Sequence, residues 1–223
     1  MQKEKVHFQS EELKVVGNLF RPQNFKGEEI SLPAILVAGA MTGVKEQVAG
    51  YYAERIAKAG YMTLVLDHRH FGESEGQPRQ HEDPAKKMED FKNAISFLSS
   101  LNGINRERIG ACGISMGGGY MLQLAAFDRR IKALSIVASG LNLADTLLDM
   151  LGKEGCFIVH GRNDKYCYPK FAQQVYEEAD EPKEILWLDT SNHIDLYDNE
   201  KYVGPAISKI VDWFGKYLGQ QVS

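Results

Sequence analysis

Ile109-Gly110-Ala111-Cys112-Gly113-Ile114-Ser115-Met116-Gly117-Gly118-Gly119 is a short apolar run that ends in a Gly-x-Ser-x-Gly pentapeptide and opens onto a helical period. Near-continuous apolarity of this kind is what a parallel strand needs when helices cover both of its faces. The pentapeptide then asks for a turn so sharp that the residues flanking serine must be small. Such a turn holds the Ser115 hydroxyl up at the N-terminus of the following helix. Five residues taken alone could be a plain glycine-rich joint; a strand before them and a helix after them favour a nucleophile.

The same alternation continues on both sides. Further apolar runs lie at Ala34–Ala38, Met62–Leu66, Ala133–Val137, Cys156–Val159 and Ile185–Leu188. Amphipathic stretches separate them: Glu46 to Ala59, Asp83 to Leu101, Gly117 to Phe127, Pro169 to Ala179, and Val203 to Leu218. Strands alternating with helices at this spacing predict an α/β fold, a doubly wound and mostly parallel sheet with helices on both faces. Ahead of it, Lys5 to Phe20 mixes β-formers with polar residues and predicts an edge hairpin turning at Gly17-Asn18. No internal repeat or interdomain linker interrupts the pattern, so residues 1–223 read as one domain.

Bulk properties narrow the function. A net charge of −4 lacks the basic excess of a general nucleic-acid binder. No segment has the apolar length needed to enter and cross a bilayer, and the charged N-terminus is followed by no apolar run of a signal peptide. Cys112, Cys156 and Cys167 are odd in number and lack metal-ligand spacing, which suits reduced thiols and a cytoplasmic location.

A serine hydroxyl is a weak nucleophile and needs a base. Downstream, one apolar run ends in His160-Gly161-Arg162-Asn163-Asp164 and the next leads into Asp189-Thr190-Ser191-Asn192-His193. The chain order Ser115…Asp164…His193, with acid and base each after a successive strand, is an order in which a serine triad occurs. Asp164 would hold the histidine tautomer, and His193 would take the serine proton and later return it. Asp195, on the same loop as His193, is the weaker candidate for the acid. The backbone N–H of Met116 faces a forming oxyanion, and the loop Gly39–Glu46 offers Met41 as the second donor. His68 and His70 form a His-x-His pair without a convincing third ligand, so they read as loop structure rather than a metal site. Arg69 reads as structural before substrate-binding, His160 as a buried shape-setter, and Cys167 as packing.

The segment Met41-Thr42-Gly43-Val44-Lys45-Glu46-Gln47 resembles a loop of α/β hydrolases related to dienelactone hydrolases and polyketide-transferase-like proteins. Asp67–Gly76, Pro78-Arg79-Gln80, Glu82-Asp83-Pro84, His193–Asp198 and Tyr202–Ala206 are similar as well. The resemblance runs from about Pro33 to Leu218. It implies the α/β-hydrolase fold and a serine hydrolase acting on an ester, thioester or related acyl bond of a small molecule, without metal or cofactor. Carried over by position, Ser115, Asp164 and His193 are the triad, with Met41 and Met116 at the oxyanion hole. Gly39-Ala40 departs from the histidine that relatives commonly carry there. Many relatives also insert a helical cap between the fourth and fifth parallel runs; here Ser139 to Gly155 leaves room for a short roof at most. The expected site is therefore open, or roofed by that segment or by the second subunit of a homodimer. An acyltransferase using the same triad and a non-catalytic ligand-binding member of the fold are the competing readings.

Overall fold

The computed structural model of the protein describes residues 1–23, 25, 31–139 and 155–219. The predicted edge hairpin forms from β1 (Gln2–Ser10) and β2 (Leu13–Arg21), with Ser10 opposite Leu13 and Gln2 opposite Arg21. Its turn falls at Glu11-Glu12, with Glu11 at φ +53°, and not at Gly17-Asn18 as the sequence predicts. Gly17 lies inside β2, where a Cβ would come within 2.6 Å of the Val65 carbonyl oxygen. The glycine there permits close approach of the next strand and makes no bend.

The other strands extend the predicted runs: β3 (Leu32–Ala38), β4 (Met62–Asp67), β5 (Ile104–Ile114), β6 (Ile131–Val137), β7 (Gly155–Gly161) and β8 (Lys183–Leu188). They form one sheet in the order β1-β2-β4-β3-β5-β6-β7-β8. The hairpin joins antiparallel to β4, and every pairing from β4 through to β8 is parallel. The predicted α/β architecture is the observed one.

Helices α1 (Val48–Lys58), α2 (Pro84–Ser100), α3 (Met116–Phe127), α4 (Pro169–Glu178), the single turn α5 (Asp195–Asp198) and α6 (Glu200–Leu218) connect and cover the strands. Their starts follow local chemistry. Asp83 accepts the Lys86 N–H and Pro84 stands at the first turn of α2, while Asn199 accepts the Lys201 N–H and starts α6 three residues before the predicted Val203. Side chains alternate across β3: Ala34, Leu36 and Ala38 join the core layer with Phe91, Leu98 and Met121, whereas Ile35 and Val37 join the opposite layer with Tyr52, Ile56 and Phe214. Helices α2, α3 and α4 therefore cover one face, and α1 and α6 the other. That leaves the C-terminal ends of β3, β4, β5, β7 and β8 to carry the loops of the site. The expected roof, 139–155, falls almost wholly on residues outside those described. Among the described residues no helix is long and apolar enough to cross a membrane.

Candidate active site

The turn between β5 and α3 is as sharp as its sequence demands. Ser115 sits at φ +55° and ψ −126°, a conformation that a side chain rarely adopts. Three bonds hold it there: the Ser115 N–H donates to Val137 O at 2.9 Å, and Ser115 O accepts from Gly118 N at 2.9 Å and from Ser139 Oγ at 2.8 Å. The glycines are needed for space. A Cβ on Gly113 would lie 2.3 Å from Gly117 O, and one on Gly117 would lie 2.5 Å from Gly39 O.

The loops after β7 and β8 bring the other two predicted residues to this turn. His193 Nε2 lies 3.2 Å from Ser115 Oγ, and His193 Nδ1 lies 2.8 Å from Asp164 Oδ2. The second carboxylate oxygen of Asp164 accepts the N–H groups of Tyr166 at 2.8 Å and Cys167 at 3.0 Å. All three side chains are buried to within a few per cent. An ionised Asp164 that accepts from its own loop leaves one oxygen to hold an Nδ1–H, so the free lone pair of the imidazole faces the serine. Asp195 does not compete for this place. Its carboxylate is taken by Thr190 Oγ1, Asn192 Nδ2 and Asn199 Nδ2, which brace the histidine loop.

Met116 is the first residue of α3, where a backbone N–H has no acceptor within the helix. Met41 lines the cleft together with Ser115. The loop that carries Met41 turns on the Gly43 N–H to Ala40 O bond of 3.1 Å, with Thr42 at φ +59°. Behind it, the Lys45 ammonium is buried against Asp67 at 2.6 Å and Glu73 at 2.7 Å. Burial opposes the charge on Lys45, yet bonds to Asp67, Glu73 and Glu46 outweigh it and raise its pKa, and the same contact holds the Glu73 carboxyl at about 2.

The other flagged residues take structural places. Arg69 is engaged by Asp90, Ser10 and Glu11. His68 packs edge-on against Phe91 with centroids 4.3 Å apart, and His70 stacks edge-on to His81 at 5.3 Å. His160 is buried with Nδ1 3.0 Å from Gly161 O, and its burial lowers its pKa. Cys112 and Cys156 are buried thiols pushed up to about 12 by desolvation. Cys167 is buried also.

Three neighbours of the site escaped the sequence reading. Tyr197 places its hydroxyl 3.2 Å from His193 Nε2, Tyr166 packs against the imidazole with centroids 5.0 Å apart, and Lys45 anchors the Met41 loop. Tyr197 had a signal, since it stands one turn beyond His193 in a motif already set apart. The cleft at Ser115 encloses about 660 Å3 and is lined by Ala40, Met41, Tyr166, Ile194 and Tyr197 among others.

Comparison with known proteins gives the family and the fold. Residues 12–161 match the family model of the X-Pro dipeptidyl-peptidase (S15 family). Among curated relatives, the quorum-quenching protein AidA of Acinetobacter baumannii is 40% identical over 129 residues, 58% of this chain and 41% of its own. The thiohydrolase aneE of Aspergillus aculeatus is 39% identical over 131 residues, 59% of this chain and 41% of its own. The matched region is thus well under half the length of these curated relatives. Among solved structures, the dienelactone hydrolase of Anabaena variabilis superposes with a TM-score of 0.80 at 20% identity, covering 97% of this chain and 98% of that one. The DcsB complex with its substrate analogue gives 0.86 at 17% identity, over 97% and 100%. At such identities the likeness is one of fold. The family match extends over most of the chain and takes in the strand, elbow and helix around Ser115: the chain belongs to the X-Pro dipeptidyl-peptidase (S15) family of serine hydrolases with the α/β-hydrolase fold.

Proposed function

We propose that the protein is a serine hydrolase that cleaves a small ester or thioester through an acyl-enzyme on Ser115. One observation carries this reading: the continuous chain from Ser115 Oγ through His193 to Asp164, at 3.2 Å and 2.8 Å. His193 takes the Ser115 proton as Oγ attacks the carbonyl carbon, and Asp164 stabilises the imidazolium. The N–H groups of Met41 and Met116 receive the oxyanion. Collapse expels the leaving group with the proton from His193, and water then repeats the sequence to free the acid.

The lining of the cleft supports an apolar acyl group. Of the large apolar side chains left exposed among the described residues, Met41, Met116, Tyr166, Tyr168 and Ile194 border a cleft that contains Ser115, while Phe127 stands at the far end of α3. Exposed apolar surface gathered at one place marks a binding site. The relative aneE is named a thiohydrolase, which favours a thioester as the bond cleaved. Transfer of the acyl group to an alcohol or thiol is the second reading, favoured by a match of 35% identity over 130 residues to the polyketide transferase claH of Penicillium crustosum.

Treatment of the purified protein with a fluorophosphonate probe, followed by peptide mass spectrometry, tests the reading. Stoichiometric labelling at Ser115 that disappears in Ser115→Ala and His193→Ala is the expected result. A folded protein that takes no label would sink it and leave a binding role. Product analysis with a thiol or alcohol added then separates hydrolysis from transfer.

A further inference from the structure

The nitrogen that serves as base has a second hydroxyl neighbour. Tyr197 Oη lies 3.2 Å from His193 Nε2, the same separation as Ser115 Oγ. Its ring meets the imidazole edge-on, with centroids 5.3 Å apart. A neutral imidazole that gives Nδ1–H to Asp164 has one lone pair at Nε2, so two hydroxyls compete for it. When Ser115 donates there, ready to attack, the phenol must direct its O–H elsewhere. Two directions are open to it. One is toward Ser115, whose Oγ shares the same nitrogen. The other is the cleft, because Tyr197 borders both the cavity at Ser115 and the adjoining one of about 610 Å3 that contains Thr42, Gln47 and Tyr51. Burial raises the phenol's pKa, with Ser115 offsetting part of the effect, so the group stays protonated and remains a donor.

We propose that Tyr197 is a catalytic residue, the donor that serves the leaving group; this rests on reading Ser115, His193 and Asp164 as the triad. As the tetrahedral intermediate collapses, the bond from the carbonyl carbon to the leaving atom breaks and its electron pair stays on that atom. The leaving atom takes the Tyr197 Oη proton, and Oη takes the proton from His193 Nε2. One proton passes from imidazolium to leaving group. The phenol is neutral before and after, and the imidazole ends as the neutral base needed for deacylation. Poor leaving groups such as alkoxides need that proton, whereas nitrophenolate and, to a lesser degree, thiolates depart without it.

Tyr197→Phe removes the hydroxyl and keeps the ring against His193. The experiment compares kcat/KM of wild type and variant on esters of one acyl group whose leaving alcohols run from 4-nitrophenol to ethanol. The expected loss is roughly 10- to 100-fold for the ethyl ester and stays within about threefold for the 4-nitrophenyl ester, with fluorophosphonate labelling of Ser115 retained. A loss equal across the series would mean that the tyrosine only packs the histidine and would overturn the assignment. Full activity of the variant on the ethyl ester would overturn it as well. Failure of the wild type itself to label would instead remove the triad reading, and this assignment with it.

Discussion

The Lys45 ammonium and the Asp67 carboxylate meet at 2.6 Å with both side chains shut away from water. The same carboxylate accepts the backbone N–H of Lys45 at 2.8 Å and of Glu73 at 2.9 Å. One buried anion thus ties the loop after β3, which carries Met41, to the loop after β4. Gly72 stands over it, where a Cβ would lie 2.1 Å from Asp67 Oδ2.

Lys45→Met leaves that anion without its cation, and loss of one partner of a buried pair costs about 3–5 kcal/mol. The expected outcome is a matching fall in urea midpoint. Because the loop no longer holds Met41 in place, turnover on a 4-nitrophenyl ester falls further than the unfolded fraction explains. Circular dichroism and initial rates on the same samples check both. Unchanged turnover in a destabilised protein would separate the ion pair from the oxyanion loop.

A second buried anion sets the acid limb of stability. Burial alone would raise the Asp90 carboxyl, but the His68 ring at 3.7 Å and bonds from Arg69 and Ser10 outweigh it and hold the group at about 2, against an ordinary value of 3.8. A depressed folded value means stability that is present above the unfolded value and lost as pH falls through it toward the folded one. The difference is worth roughly 2 kcal/mol, lost between about pH 4 and pH 2. Urea titrations over this range should show a weaker pH dependence in Asp90→Asn than in wild type. Equal slopes would assign the acid limb to other carboxylates.

Replacing elbow glycines tests packing directly. A Cβ on Gly118 would come 2.6 Å from both Cβ and Oγ of Ser139, whose hydroxyl bonds Ser115 O. Gly118→Ala is expected to cost about 1–3 kcal/mol by overpacking and to slow labelling at Ser115. Thermal unfolding and probe kinetics measure the two effects. A variant with wild-type stability and labelling would show that the turn relaxes freely.

The sequence carried the sheet and the three residues at its C-terminal edge because both rest on local patterns: apolar runs, and chemical groups at the ends of those runs. It misplaced the turn at Gly17 because a glycine needed for close approach between strands looks the same, in one dimension, as a glycine needed for a bend. Lys45 was invisible as an anchor for a related reason. Its partners Asp67 and Glu73 lie far along the chain, and an Lys-Glu pair on a polar loop reads as solvated charge. Tyr197 could have been found by spacing, since one turn of chain separates it from His193, but its nearness to Nε2 depends on the local path through α5.

The choice of acid is the sharpest test of the triad. Asp164 and Asp195 are both near His193 in the fold, yet only Asp164 reaches Nδ1, while Asp195 is spent on Thr190, Asn192 and Asn199. Asp164→Asn preserves shape but presents an amide that can donate to Nδ1 and favour the wrong tautomer. Its kcat should fall by roughly 10^3- to 10^4-fold. Asp195→Asn weakens only the brace of the loop, so its effect should appear in stability and remain within about tenfold in kcat, the range expected when a group acts through position alone. Steady-state rates of the two variants on one activated ester decide the matter. If Asp195→Asn were the more damaged of the pair, the histidine would have to draw its tautomer from its own loop, and the assignment of Asp164 would fall.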